Sequence, residues 1–183
     1  MKVQSLLSDL RRNRSFMEQV VAWERFPARQ ASTTDFPAAT APGLIQALRR
    51  RGITHLYTHQ GAAISAVFSG SDVVIATPTA SGKSLCYTLP VLTHLLADPT
   101  ARALYLFPTK ALAHDQLAET QDLLAAGDLP LDAHSYDGDT PQSKRRQIRQ
   151  SPGIIFSNPD MLHSGILPYH PGWRDLFGNL KYV

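Results

Sequence analysis

Lys83 and Ser84 close the run Thr77-Pro78-Thr79-Ala80-Ser81-Gly82-Lys83-Ser84, in which small residues join an apolar stretch to a helical one. These types in this order suit a polyphosphate. Successive backbone N–H groups and a helix N-terminus converge on the anion, the ammonium reaches the outer phosphates, and the hydroxyl ligates Mg²⁺. Thr77 stands where the loop pattern begins with Gly. Read as an ordinary strand–turn–helix corner, the same run would have no use for the lysine or the hydroxyl.

Upstream, Gln60 ends the stretch Gly52-Ile53-Thr54-His55-Leu56-Tyr57-Thr58-His59-Gln60. Its amide offers one donor and one acceptor, matching N6 and N7 of adenine. Alone it would be a surface helix residue; one helix and one strand before a phosphate loop it is a candidate base reader. Downstream, Phe107-Pro108-Thr109-Lys110 places a hydroxyl and free N–H groups at a helix start. Such a start suits a phosphate of a bound strand. Asp137-Gly138-Asp139-Thr140 carries a glycine that lets a backbone approach closely. Ser157-Asn158-Pro159-Asp160 repeats the helix-start theme. Three helix starts at successive strand ends would track three successive phosphates of one strand.

Other residues read as structural. His55 and His59 stand at i,i+4 spacing without a third candidate ligand. Lys144, Arg145, Arg146 and Arg149 fall on one helix as a solvated face, and Leu112, Leu117, Leu123 and Leu124 are expected in the core. Cys86 is the single cysteine, so no internal disulfide forms, and it reads as a small core residue in a reducing compartment.

The elements that must hold these groups alternate. Residues 1–25 show apolar residues at roughly helical spacing with a polar break at Arg11, Arg12 and Arg14, and 26–42 is a proline-bearing connector. A short helix runs from 42 to 51, and Thr58 is expected to cap the next, which Gly70 ends. Strands are expected at 72–76, 103–107, 131–136 and 154–157, with helices starting near Gly82, Thr109 and Thr140. Thr140-Pro141 has the form of a cap followed by proline at the first helical position. Residues 180–183 resemble the start of one more strand. This is α/β: a parallel sheet with helices on both faces, whose ligands bind beyond the carboxyl ends of the strands. With 183 residues, 43% hydrophobic and 18% charged, the chain fits one globular domain, and its net charge of +3 permits an anionic partner without requiring one. No stretch approaches the ~18 apolar residues of a membrane span.

In this order the motifs resemble the first motor domain of superfamily-two DEAD/DEAH-box helicases. Gly52 to Gln60 is similar to the Q motif, Thr77 to Ser84 to motif I, and Pro108-Thr109-Lys110-Ala111-Leu112-Ala113 to motif Ia. Asp137 to Thr140 is similar to the Ib region, and Ser157-Asn158-Pro159-Asp160-Met161-Leu162 to motif Ic. The Leu-Tyr-Thr-His-Gln, Thr-Ala-Ser-Gly-Lys-Ser and Ser-Asn-Pro-Asp-Met versions most resemble the mitomycin-repair-factor branch, which acts on DNA. The resemblance implies a RecA-like domain over 42–183 after a helical arm and connector over 1–41. It implies ATP held by Gln60, Thr77, Thr79, Ala80, Ser81, Gly82, Lys83 and Ser84. Lys83 and Ser84 would serve catalysis, with Ser84 on Mg²⁺. Pro108, Thr109, Lys110, Gly138 and Asn158 would contact single-stranded nucleic acid, DNA in that branch; a cytoplasmic location is expected separately, from an N-terminus without an apolar leader stretch.

Two departures accompany the match. Gly43 stands where the family places an adenine-stacking aromatic, and the sequence stops at Val183, before an Asp-Glu-x-His motif II. In the RecA-like fold the motif III strand lies between those carrying motifs I and II, so strand 72–76 is expected to lack its neighbour. Alternatives are a non-catalytic nucleotide- or nucleic-acid-binding fragment, and a small P-loop kinase or GTPase. An arginine-rich lid or an Asn-Lys-x-Asp string would mark the last two, and neither occurs.

Overall fold

The computed structural model describes residues 3–27, 30–78, 81–151 and 153–183. The chain divides into two compact units, Met1–Ala31 and Ser32–Val183. The first holds α1 (Val3–Arg12) and the single turn α2 (Arg14–Met17). They break at Asn13, whose side chain accepts a hydrogen bond from Phe16 N. Helix does not continue to residue 25 as the apolar spacing suggests. Neither helix buries a residue, so no packing offsets the weak helix preference of Val20 and Val21.

In the second unit β1 (Thr33–Thr34) pairs antiparallel with β2 (Leu56–Tyr57), and Ala41 N donates to Thr93 Oγ1. Residues 32–41, expected as a connector, are thus bonded into this unit. The remaining elements are α3 (Pro42–Arg50), α4 (Thr58–Phe68), α5 (Ser84–Ala97), β3 (Arg102–Leu106), α6 (Lys110–Gly127), β4 (Ala133–Ser135), α7 (Gln142–Gln150), β5 (Gly153–Ser157), α8 (Pro159–Met161), α9 (Arg174–Asn179) and β6 (Leu180–Tyr182). A π turn (Leu162–Ile166) and a 3-10 segment (Leu167–Trp173) lie between α8 and α9.

The main sheet has the order β4-β5-β3-β6 and is parallel throughout. Alternate residues of β3 and β5 face opposite layers, which is why both strands are nearly continuous apolar runs. Ala103, Tyr105, Ile154 and Phe156 meet Leu44, Leu48, Ile64, Leu89, Leu92 and Leu123 from α3 to α6. Leu104 and Ile155 meet Ile148, Ile166, Trp173 and Leu176 on the other side. β5 enters through Gly153 at φ +105°, where an added Cβ would run into Asp132 O.

Three local expectations change. Residues 72–76 form no strand: they have no ladder partner among the described residues, and Val74 is 95% exposed. Leu112 is exposed on the first turn of α6, while Leu123 and Leu124 are buried as expected. Two of the basic residues on α7 are bound rather than solvated. The Arg145 guanidinium donates to Thr140 O and Asp137 O and lies over the Tyr136 ring, and that of Arg149 lies over Trp173.

Candidate nucleotide and nucleic-acid sites

The loop from Thr77 to Ser84 is tied down from three sides; Thr79 and Ala80, also expected to contact nucleotide, lie outside the described residues. The Thr77 and Ser81 hydroxyls are 2.6 Å apart, and the Lys83 ammonium donates to Thr77 O at 2.9 Å and Pro78 O at 2.7 Å. Two neutral carbonyls thus hold the cation that the sequence assigns to phosphate. Phosphate oxygens, being charged, are stronger acceptors for the same ammonium.

The second tie is Gln60. It is buried; its Oε1 accepts from Tyr57 N at 2.8 Å and its Nε2 donates to Gly82 O at 2.8 Å. The first bond caps α4, so Tyr57 rather than Thr58 is the cap position. The second reaches the loop, where Gly82 adopts φ +72° and an added Cβ would sit 2.5 Å from Gln60 Nε2. The positive φ favours glycine there, and a Cβ would displace the Gln60 amide from its bond to Gly82 O. His59 Nε2 lies 3.1 Å from Ser81 O, and its ring stacks on Tyr57 at 5.8 Å. Gly43, at the place of the family's aromatic, faces Leu129, and a Cβ there would stand only 3.0 Å from Leu129 Cδ2, a tight contact.

The third tie begins at Ser84, the first residue of α5. Its Oγ donates to Gln116 Oε1 at 2.9 Å, and the Tyr87 hydroxyl donates to the same oxygen at 2.8 Å. Burial pushes the Tyr87 phenol up, so it stays a neutral donor. Gln116 was legible only as a polar residue two turns into α6. Its partners lie about 30 residues away in sequence, and no periodicity encodes that.

The strand-contact candidates lie on one edge. β4, β5 and β3 are adjacent and parallel, and their carboxyl ends run into Gly138, Asn158 and Thr109. Thr109 caps α6 by accepting from Leu112 N, and Asn158 caps α8 by accepting from Met161 N. Pro108, Thr109 and Lys110 are exposed, whereas Asn158 is buried. Lys110 Nζ donates to Asp139 Oδ2 at 2.9 Å, which holds the ammonium above its usual pKa. It lies 3.3 Å from where a Gly138 Cβ would stand.

Beneath this edge Asp137 accepts from Asp139 N at 2.9 Å and meets His114 Nε2 at 2.8 Å. Burial pushes its carboxyl up, but the bonds from His114 and Asp139 N and the charge of Lys110 outweigh it, and the net shift is downward. Thr140 does not cap α7 as Thr140-Pro141 suggests; its Oγ1 accepts from Asp137 N at 2.9 Å and closes this loop. Neither His114 nor Asp137 was singled out from the sequence.

A cavity of about 550 Å³ lies away from the phosphate loop. It separates Tyr182 on β6 from Asp72, Val73 and Ile75, and Cys86 and Tyr105 line it.

A parallel sheet with a Gly-Lys-Ser loop opening a helix beyond it defines a P-loop nucleotide-binding domain of RecA-like form. The family model described as DEAD/DEAH box helicase matches residues 57–183, and the chain belongs to that family. It is similar to the uncharacterized ATP-dependent helicase YprA of Bacillus subtilis, 47% identical over 97% of this chain and 23% of that protein. It is 39% identical to the ATP-dependent helicase hrq1 of Schizosaccharomyces pombe over 98% of this chain and 17% of that protein. Among solved structures it is similar to the DUF1998 helicase MrfA bound to DNA and AMPPNP, with TM-score 0.85 and 46% identity over 100% of this chain and 25% of that one. The chain therefore spans a quarter or less of the length of these relatives. Among the described residues no helix is long and apolar enough to cross a membrane.

Proposed function

We propose that residues 1–183 are the N-terminal, ATP-binding part of an ATP-dependent DNA helicase acting in the cytoplasm, with residues 42–183 as its first motor domain. The observation that carries this is the shared frame. The phosphate loop opens α5, and the three strand ends at Thr109, Gly138 and Asn158 leave the same parallel sheet. One compact unit would thereby present both a nucleotide seat and a track for a strand. The MrfA structure with DNA and AMPPNP supports DNA as the nucleic acid.

In this reading Lys83 leaves Thr77 O and Pro78 O for the β- and γ-phosphates and neutralises charge that grows in the transition state. Gln60 reads adenine with its remaining amide proton and lone pair while holding Gly82 O. The donor set suits a magnesium ion that arrives with nucleotide. Ser84 offers one oxygen, and no group of three or more His, Cys, Asp or Glu side chains lies together among the described residues. Bound there, the ion would neutralise and orient the phosphates. Thr109, Gly138 and Asn158 lie along successive backbone phosphates, with the charge of Lys110 beside them, which positions a strand without reading its sequence.

Strand displacement by the complete protein tests the reading: a partly single-stranded duplex should separate with ATP and stay paired with a non-hydrolysable analogue. Separation independent of ATP would overturn it. The 183 residues contain no Asp-Glu-x-His string to hold the metal and activate water. A polypeptide of these residues alone should therefore show no DNA-stimulated ATP turnover. Stimulated turnover abolished by Lys83→Ala would contradict that.

A further inference from the structure

We propose that Gln116 is a positioning residue for the metal-binding hydroxyl of Ser84, an inference that rests on the nucleotide-binding role of the loop. A serine oxygen that gives a lone pair to a cation must point its proton elsewhere, and the proton needs an acceptor. Gln116 Oε1 supplies one at 2.9 Å. The Tyr87 hydroxyl donates to the same oxygen at 2.8 Å, so both acceptor positions of the carbonyl are filled by donors. That arrangement fixes which end of the amide faces Ser84. Turned round, the amide would donate to the serine and compete with a cation for its lone pairs.

The partners are themselves held. Ser84 and Tyr87 lie one turn apart on α5, and the Tyr87 ring meets Tyr105 of β3 edge-on at 5.3 Å. Gln116 projects from α6, six residues beyond Lys110. The rigid helix that begins at the strand-contact edge therefore also sets the direction of the Ser84 lone pairs. Removing such an outer partner of a metal ligand typically weakens metal binding about 10–100-fold.

The test is metal linkage in the complete protein, measured with a fluorescent non-hydrolysable ATP analogue. The ratio of its Kd in EDTA to its Kd in Mg²⁺ is compared among variants. Gln116→Met, similar in shape but without an acceptor, should lower the ratio about tenfold. Its Kd in EDTA should stay at the wild-type value, while its melting temperature falls slightly because the Tyr87 hydroxyl also loses its acceptor. Gln116→Glu, which keeps the acceptor, should retain the ratio. In a Ser84→Ala background the Gln116→Met change should have no further effect, because the proton it receives is gone. An unchanged ratio in Gln116→Met, or an equal loss in the Ser84→Ala background, would overturn the assignment. Failure of the wild type to bind the analogue under either condition would instead overturn the nucleotide-binding reading and this inference with it.

Discussion

At the scale of single residues, Lys83 and Asp137 make opposite kinds of contribution. The Lys83 ammonium is held by two carbonyls of its own loop, so its charge is available to phosphate at little structural cost. In the complete protein Lys83→Ala should lower ATP turnover about 100-fold or more, the scale of losing one transition-state donor. DNA affinity measured without nucleotide should change little, and a matching loss of DNA binding would contradict the role. Asp137 acts through stability. Its folded-state pKa is depressed, so its contribution is present above the ordinary carboxylate value of about 3.9 and is lost as pH falls through the lower folded value. Asp137→Asn should destabilise by about 1–3 kcal/mol at neutral pH, as expected when buried donors lose a charged acceptor. Denaturant unfolding at neutral and acid pH checks this: the difference from wild type should shrink on acidification, and a constant difference would contradict it.

At the scale of elements, the sequence made the alternation plain and hid its local exceptions. β3, β5 and the helices between them were legible because strands buried on both faces are continuous apolar runs, and such runs need little context. Residues 72–76 carry the same signature and form no strand, since a strand exists only through its ladder and none of the described residues pairs with them. Positions of the phosphate-loop residues were legible; the bonds that hold them were not. Gln60 could be read as a base reader, yet its bonds to Tyr57 N and Gly82 O join residues on both sides of α4. Arg145 bonds the loop just before α7, a local contact that the reading of a solvated basic face did not show. The entry into β5 permits a sharp test. Gly153→Ala would place a Cβ against Asp132 O at φ +105°, so it should cost more than about 1 kcal/mol. Thermal melting should show a drop of a few degrees. An unchanged midpoint would mean that β4 and β5 approach less closely than described.

At the scale of the whole molecule, two features of the second unit bear on how the chain behaves and what it does. β6 forms one edge of the main sheet, and a mostly apolar groove of about 550 Å³ lies between it and Asp72, Val73 and Ile75. An edge of that kind is a template for pairing with another chain. A polypeptide of residues 1–183 made by itself should therefore associate and melt broadly, with little help from Mg-ATP. Light scattering that shows a monodisperse monomer with a sharp melt would contradict this. The second feature is that α5, which the phosphate loop opens, packs through Leu89 and Leu92 on the sheet whose strand ends carry Thr109, Gly138 and Asn158, so that the proposed nucleotide and nucleic-acid sites share one compact unit. The direct measurement of that claim is steady-state ATP hydrolysis by the complete protein, with and without single-stranded DNA, for the wild type and for Lys83→Ala. The account predicts turnover that single-stranded DNA stimulates, whatever its sequence, and that Lys83→Ala lowers about 100-fold or more. Turnover indifferent to DNA, or undiminished in Lys83→Ala, would contradict it.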